Sequence, residues 1–361
     1  MGGSVKLGRV FGIPIRLHLT FILFVAFLGM VYAFQGGAKA AVAGVSFILA
    51  LFLSVTLHEL GHSVVARGYG IKVRGIVLLP IGGVSQIEEM PEKPSQEFLI
   101  ALAGPATSVV LGLALGGASL LLYGPAATFK ATVTGGLFVP NLARVNLLLA
   151  IFNLLPGFPM DGGRIFRAVL ANAMPFDRAT AIAAAVGRVF AIGLGLVGLF
   201  TNIWLVFIAV FIYFGAGQEA SRVHIKTALH DVPVSRVMAT SYRTLSPDDR
   251  LSQVVEHAYH GFQEDFPVVL DDELVGVLMK QDILAALHEF GPGALVGRVM
   301  RKEFTTVPAN STLEQVYTAI QTCGCSSLPV LDSGRIVGVV TLEALGRYLV
   351  FAGAGPSTSR G

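Results

Sequence analysis

Charge is scarce in this chain. Asp, Glu, Lys and Arg make up 14% of its 361 residues, against about 25% in a soluble globular protein. Together with 53% hydrophobic residues and a mean hydropathy of +0.70, that shortage excludes a wholly soluble protein. The formal net charge is only +3, so there is no basic footprint for a nucleic-acid partner. Cysteine is rarer still. Cys323 and Cys325 are the only two, too close in sequence to staple a fold, and no disulfide framework is available. A metal site built on them would need a partner pair that the chain lacks, so both read as ordinary buried small residues. A cleavable leader is not expected either. Lys6, Arg9 and Arg16 precede an apolar run, 17–34, that is long enough to span a bilayer, which takes about 20 residues. It reads as a retained first span.

What the chain has in abundance is apolar sequence, and it is unevenly spread. Polarity changes near Gly217, after which "QEASRVHIKTALHDVPVSRVM" opens a charged, alternating sequence. The expected division is a membrane domain over 1–217, a linker over 218–230, two soluble repeats over 231–288 and 293–350, and a disordered tail over 351–361. In the membrane part about six apolar segments run over 17–34, 41–67, 97–123, 136–156, 179–199 and 201–216. The last two form either a tight hairpin or one long kinked element. The stretch 71–96, "IKVRGIVLLPIGGVSQIEEMPEKPSQ", is different, with β-branched residues, Pro80, Gly82 and Gly83. It reads as a short strand or hairpin entering the membrane edge, which is tolerated where protein or water covers the backbone.

Lys and Arg near span ends set orientation. Lys6, Arg9 and Arg16 place the N-terminus in the cytoplasm. With six spans, the loops holding Lys72, Arg74, Lys93, Arg164, Arg167 and Arg178 are cytoplasmic too, as is everything after 217. The outer segments 35–40 and 124–135 hold only Lys39 and Lys130.

The soluble part repeats itself at about 62 residues: Met238 with Met300, Leu251 with Leu313, Pro267 with Pro329, Gly276 with Gly338. Each copy reads as strand, helix, two strands, helix.

Inside the second apolar segment lies "SVTLHELGHSVVARG". A carboxylate near mid-bilayer costs about 3 kcal/mol on insertion scales, so it needs a reason. His58 and His62 are four apart, on one face of a helix. HExxH is the spacing of zinc hydrolases, with Glu59 as general base. A third ligand is then required, with one position left for water. Asp161, in "NLLPGFPMDGGRIFRAV", is the candidate, the alternative being a cap for the helix after it. The topology supports the ligand reading, because it puts His58, His62 and Asp161 at similar depth.

"HELGH" with "NLLPGFPMDGGR" resembles the site-2 protease family of intramembrane zinc metalloproteases (peptidase family M50). "IGGV" at Gly82-Gly83 and "AGPATS" at Gly104-Pro105 resemble further family signatures, although many members have Asn where this chain has Ser108. The resemblance covers roughly residues 1–217. It implies one Zn2+ per chain held by His58, His62 and Asp161, with Glu59 as catalytic base and acid and Asn153 polarising the substrate or stabilising the oxyanion. It also implies hydrolysis within or near the membrane span of a protein substrate. A helix hides its carbonyls, so the strand edge at Gly82 and Gly83 is expected to bind an unwound substrate by β-addition.

The soluble repeat resembles a tandem pair of CBS domains, a Bateman module, through its "VM" openings, "FPVV"/"LPVL" and "GVLMKQD"/"GVVTLEA". Such pairs often bind adenine nucleotides such as ATP or AMP, and they dimerise. The usual Gly-x-x-Thr/Ser-x-x-Asp ending is divided here. The first copy has Asp282 but Met279 at the Thr place, and the second has Thr341 but Ala344 at the Asp place. The expected fold is a polytopic α-helical membrane domain of about six transmembrane helices with a short re-entrant β element, plus a soluble α/β tandem CBS module. The expected partners are a transmembrane protein substrate, a possible adenine nucleotide and a second copy through the CBS domains. The expected location is a prokaryotic plasma membrane. Two other readings stay open: a CBS-regulated transporter or channel, and an inactive protease-like scaffold.

Overall fold

The computed structural model describes residues 3–87, 91, 93–129, 137–260 and 263–354. Two compact units divide the chain, Met1–Val223 and His224–Gly361.

The first unit opens with strands where the sequence reading has a bare basic terminus. Strands β1 (Ser4–Val10) and β2 (Ile13–His18) form an antiparallel hairpin. The first span therefore starts at Leu19, and His18 serves as its N-cap, its Nδ1 accepting from the Thr20 amide. Helix α1 runs Leu19–Gly68, but Gly36 and Gly37 leave helical geometry, Gly37 with φ +70. That left-handed conformation suits a residue without Cβ. The chain folds back there: Phe21 and Phe52 stack edge to face at 4.5 Å, in one buried cluster with Ile48. One 50-residue helix thus supplies the first two apolar segments.

Strands β3 (Val73–Leu79) and β4 (Gly82–Ile87) form the hairpin expected in 71–96. β3 pairs in parallel with β2, giving a four-stranded sheet in the order β1-β2-β3-β4, with β4 at its edge. The acidic residues 88 and 89 lie outside the described residues. Ile13, Ile76 and Leu78 of the sheet bury against Leu60 of α1, with Leu57 packed alongside. Arg67 also donates to the Phe11 carbonyl at the β1–β2 turn. The apolar members of the "HELGH" stretch are therefore what seat the sheet over that part of α1.

Helices α2 (Pro94–Phe129), α3 (Phe138–Asn153), α4 (Asp161–Leu170), α5 (Phe176–Thr201) and α6 (Ile203–Leu229) complete the unit. Among the described residues α1, α2, α5 and α6 are long and apolar enough to cross a membrane, and α3 is a shorter apolar helix. Lys130 lies outside the described residues. Between α5 and α6, Asn202 is extended and caps the new helix, its Oδ1 accepting from the Trp204 amide at 3.0 Å. Ala191 then meets Ile212, and Ala183 and Ala184 meet Ala216, so the last two segments are a tight hairpin. Two small-residue contacts replace the hydrophobic drive that is missing between helices in lipid. Helix α6 continues through 218–229, so the stretch expected as a linker is helical, and Leu229 is buried in the core of the second unit.

In the second unit, α7 (Leu251–His260), β5 (Phe266–Leu270), β6 (Glu273–Leu278) and α8 (Lys280–Phe290) form the first copy. The second comprises α9 (Val296–Val299), β7 (Val307–Pro308), α10 (Leu313–Cys323), β8 (Ser327–Asp332), β9 (Arg335–Thr341) and α11 (Leu342–Ala354). The "VM" openings are exchanged. Ala239 pairs with Val339 of β9, and Arg301 pairs with Val277 of β6. A Cβ at Gly338 would meet Met238 Sδ at 2.9 Å, and one at Gly276 would meet Met300 Sδ at 2.6 Å. The repeat register is therefore a packing requirement, since each copy closes the other.

Cys323 and Cys325 are joined as a disulfide across Gly324, which sits in the left-handed conformation at the end of α10. This corrects the reading of two separate buried residues. Cys325 is buried, but Cys323 is exposed, because the helix ends at it. Of the expected tail, 351–354 belong to α11 and 355–361 lie outside the described residues.

Candidate metal centre

The "HELGH" stretch is helical because it continues an apolar helix that is already nucleated, and its two histidines are buried, at 4% and 6% exposure. Four positions apart, their rings meet edge to face with centroids 4.9 Å apart. Asp161 is the first residue of α4. The N-cap is Met160, without a side-chain cap. The Asp161 carboxylate turns instead toward the histidines. His58 Nε2 to Asp161 Oδ2 is 3.2 Å, His62 Nε2 to the same oxygen is 3.1 Å, and the two Nε2 atoms are 3.2 Å apart.

These distances form a nearly equilateral triangle. Metal–ligand bonds of about 2.0 Å in a tetrahedron put ligand atoms about 3.3 Å apart, so the donor set fits zinc. Tautomers agree with this. His62 Nδ1 donates to the Ile100 carbonyl at 2.7 Å, which leaves Nε2 of the neutral ring as an acceptor. A carboxylate oxygen is also acceptor-only. Acceptors that converge at 3.1 Å suit a cation between them. Among the described residues His58, His62 and Asp161 are the group of this kind that could hold a metal ion.

Helix α2 backs both rings. His58 Nδ1 is 2.9 Å from Ser108 Oγ, and the Ile100 carbonyl holds His62. Gly104 lies between them, where a Cβ would overlap both imidazole Nε2 atoms. Outer partners of this kind fix ring orientation and ligand basicity. The sequence reading treated Ser108 only as a departure from a family pattern. Its role shows only when α2 is laid against α1. Asn146 was also missed. It is fully buried and its amide nitrogen donates to Ser54 Oγ at 3.1 Å, tying α3 to α1.

Glu59, one residue on from His58, points toward the sheet edge. Its Cγ would be 2.8 Å from a Cβ at Gly83, and its carboxylate is within reach of the Ser85 backbone N–H. Ser85 Oγ lies 2.7 Å from Ser63 Oγ, which fastens β4 to α1. Gly82 has φ +137, a conformation open mainly to glycine. Asn153 stands at the end of α3, and its Nδ2 donates to the Leu149 carbonyl at 3.0 Å. That bond lies within α3, whereas Asn146 bonds across to α1.

In the second unit, Asp282 is held by Arg301 through two bonds of 2.7 and 2.8 Å. Thr341 Oγ1 accepts from the Ala344 amide at 3.1 Å, at the start of α11. A cavity of about 90 Å³ between the copies is lined by Val277, Met279, Arg301, Glu303, Cys323 and Cys325 among others, and by neither Asp282 nor Thr341.

Comparison with known proteins decides the family. The profile of Peptidase family M50 matches residues 46–194. The chain is 38% identical over 283 residues to the zinc metalloprotease MJ0392 of Methanocaldococcus jannaschii, covering 77% of this chain and 78% of the relative. The chain belongs to peptidase family M50. Among solved structures this M50 protein is similar to the site-2 protease from Methanocaldococcus jannaschii, at 40% identity and a TM-score of 0.44 over 60% of this chain and 95% of that one. The CBS domain profile matches 234–289 and 296–350. A solved CBS pair, of protein MJ0100 from a complex with 5′-methylthioadenosine and S-adenosyl-L-methionine, is 21% identical at a TM-score of 0.32, covering 34% of this chain and 98% of that one. The protein is thus a metalloprotease-family member with several helices long and apolar enough to cross a membrane and a C-terminal CBS pair, and the family implies zinc.

Proposed function

We propose that this protein is a zinc endopeptidase that cuts peptide bonds within or near the membrane span of protein substrates. The observation that carries this reading is the convergence of His58 Nε2, His62 Nε2 and Asp161 Oδ2 at 3.1–3.2 Å, beside a carboxylate at a sheet edge. These three residues would hold the zinc. When bound, zinc supplies Lewis acidity at this point and makes a nearby water more acidic. Glu59 takes a proton from the attacking water as the C–O bond forms, and gives it to the amide nitrogen as the C–N bond breaks. Among the described residues β4 is an edge strand of its sheet, so an unwound substrate can add there as a strand, directed by backbone pairing. An amide nitrogen carries two N–H groups, and Asn153 needs only the one not given to Leu149 to polarise the substrate carbonyl.

The N-terminus and the CBS pair lie in the cytoplasm in this reading, as the Lys and Arg bias requires. The CBS pair regulates cleavage or joins two copies. If it takes an adenine nucleotide, Asp282 has to leave Arg301 to meet the ribose.

The test is cleavage of a single-span substrate by purified protein in lipid, with the products mapped by mass spectrometry. The expected result is a cut inside or beside the apolar segment, lost with chelator and restored by zinc. Cleavage indifferent to chelator would sink the reading. Substitution at the strand edge adds a second check. Gly83→Val places a methyl-bearing Cβ against Glu59 Cγ and 3.1 Å from Val55 Cγ1, away from the three donors. A displacement of about 1 Å at a reacting group costs about 10²-fold, so cleavage should fall by that order while zinc content stays at the wild-type value. Zinc lost as well would mean general misfolding instead.

A further inference from the structure

Among the described residues Arg167 is the bulkiest fully buried side chain, with 2% exposure, and the chemistry above does not use it. It lies on α4, six residues beyond Asp161, which is about 9 Å of helix rise. Its Nε donates to Glu97 Oε1 at 2.9 Å, its Nη2 to the same oxygen, and its Nη1 to Glu219 Oε1 of α6 at 3.1 Å. The rings of Phe158 and Phe176 cover the guanidinium at 4.8 and 4.6 Å. Glu97 is fully buried, and its Oε2 has no hydrogen-bond partner among the described residues. A buried pair of this sort, with an acceptor left over, is weak evidence for stability, because desolvation offsets most of the attraction. A planar fork, by contrast, fixes direction and distance.

What it fixes follows from the spacing along α2. Glu97, Ile100, Gly104 and Ser108 fall at i, i+3, i+7 and i+11, one face of a helix. The last three are the groups that back His62 and His58. The first is Arg167's partner. One end of this α2 face therefore holds the two histidines, and the other end grips the helix that carries the third donor. α4 has only 10 residues, and beside the close packing of Gly162, Gly163 and Ala168 this grip is its directional contact with α2.

We propose that Arg167 is a positioning residue: through Glu97, with Glu219 as second anchor, it holds α4 so that Asp161 Oδ2 meets His58 and His62. The proposal rests on the metalloprotease reading above. It concerns metal retention first and turnover second.

The experiment uses the full chain in lipid. Arg167→Met alone would leave Glu97 buried and uncompensated, a change that unfolds many proteins. The decisive variant is therefore the double Arg167→Met, Glu97→Met, which replaces the pair by apolar volume and is expected to keep its thermal midpoint. Arg167→Lys, which keeps the charge and loses the fork, runs beside it. Zinc retention is titrated against a chelator, and cleavage kinetics follow on the zinc-saturated proteins. Loss of outer-shell support typically weakens metal binding 10–100-fold. Both variants should lose zinc affinity by about that factor, with kcat lowered, KM unchanged and the melting transition intact. Wild-type zinc affinity in either folded variant would overturn the assignment and leave the cluster as packing. Failure of wild-type protein itself to take zinc would instead overturn the metalloprotease reading on which it rests.

Discussion

Glu59→Gln should abolish cleavage and leave zinc in place. The side chain keeps its shape, so Leu57 and Leu60 still seat the sheet on α1 and Gly83 still lies over the same Cγ. What disappears is the capacity to accept a proton from water. General-base contributions run to about 10²–10⁴-fold, and in the proposed mechanism the same group also returns the proton to the leaving nitrogen. A fall in kcat of at least 10²-fold, with unchanged zinc content and unchanged substrate binding, is the expected pattern. Measured against wild type on one single-span substrate, near-normal turnover in the variant would remove Glu59 from the reaction. Zinc lost along with activity would make it a structural residue.

Asp161→Ala should do the reverse, with the metal leaving first. His58 and His62 come from one helix and are aligned by its geometry, so they survive the change as a pair. The third donor comes from a separate element, and without it two imidazoles remain, fewer than the three protein ligands of a catalytic zinc site. Zinc should be lost on dialysis against a mild chelator, and activity with it. Because a ligand that binds only the folded form stabilises it by mass action, the melting transition of wild type in excess zinc should lie above that of the variant. Chelator added to wild type should close the gap. A variant that keeps stoichiometric zinc would exclude Asp161 as a ligand.

Much of this molecule was legible in its residues. Scarce charge and long apolar runs announce a membrane domain because the bilayer core tolerates few other side chains. HExxH in such a run is conspicuous for the same reason. The repeat from Met238 to Met300 and from Gly276 to Gly338 announces two copies of one unit. What the residues could not disclose depends on contacts between elements distant in the chain. The β1–β2 hairpin is missing from a hydropathy reading because its partner, β3, arrives more than 50 residues later. The return of α1 on itself turns on one glycine with φ +70, which composition does not reveal among the chain's 42 glycines.

The site divides in the same way. His58, Glu59 and His62 are set by local helix geometry, so their spacing alone states their relation. Asp161 could be named from sequence, but whether it capped α4 or faced the histidines was decided only by where α4 packs. Ser108, the Ile100 carbonyl, Gly104, Asn146 and the Arg167–Glu97 pair carry no spacing signal at all relative to "HELGH". Their roles exist only because α2, α3 and α4 converge on α1. The chain by itself determines which chemistry is possible, through the residue types that a membrane segment would otherwise exclude. The tertiary structure decides whether three lone pairs and a carboxylate meet at one point, because that requires separate helices held at fixed distance and rotation, and those are set by packing rather than by any local pattern.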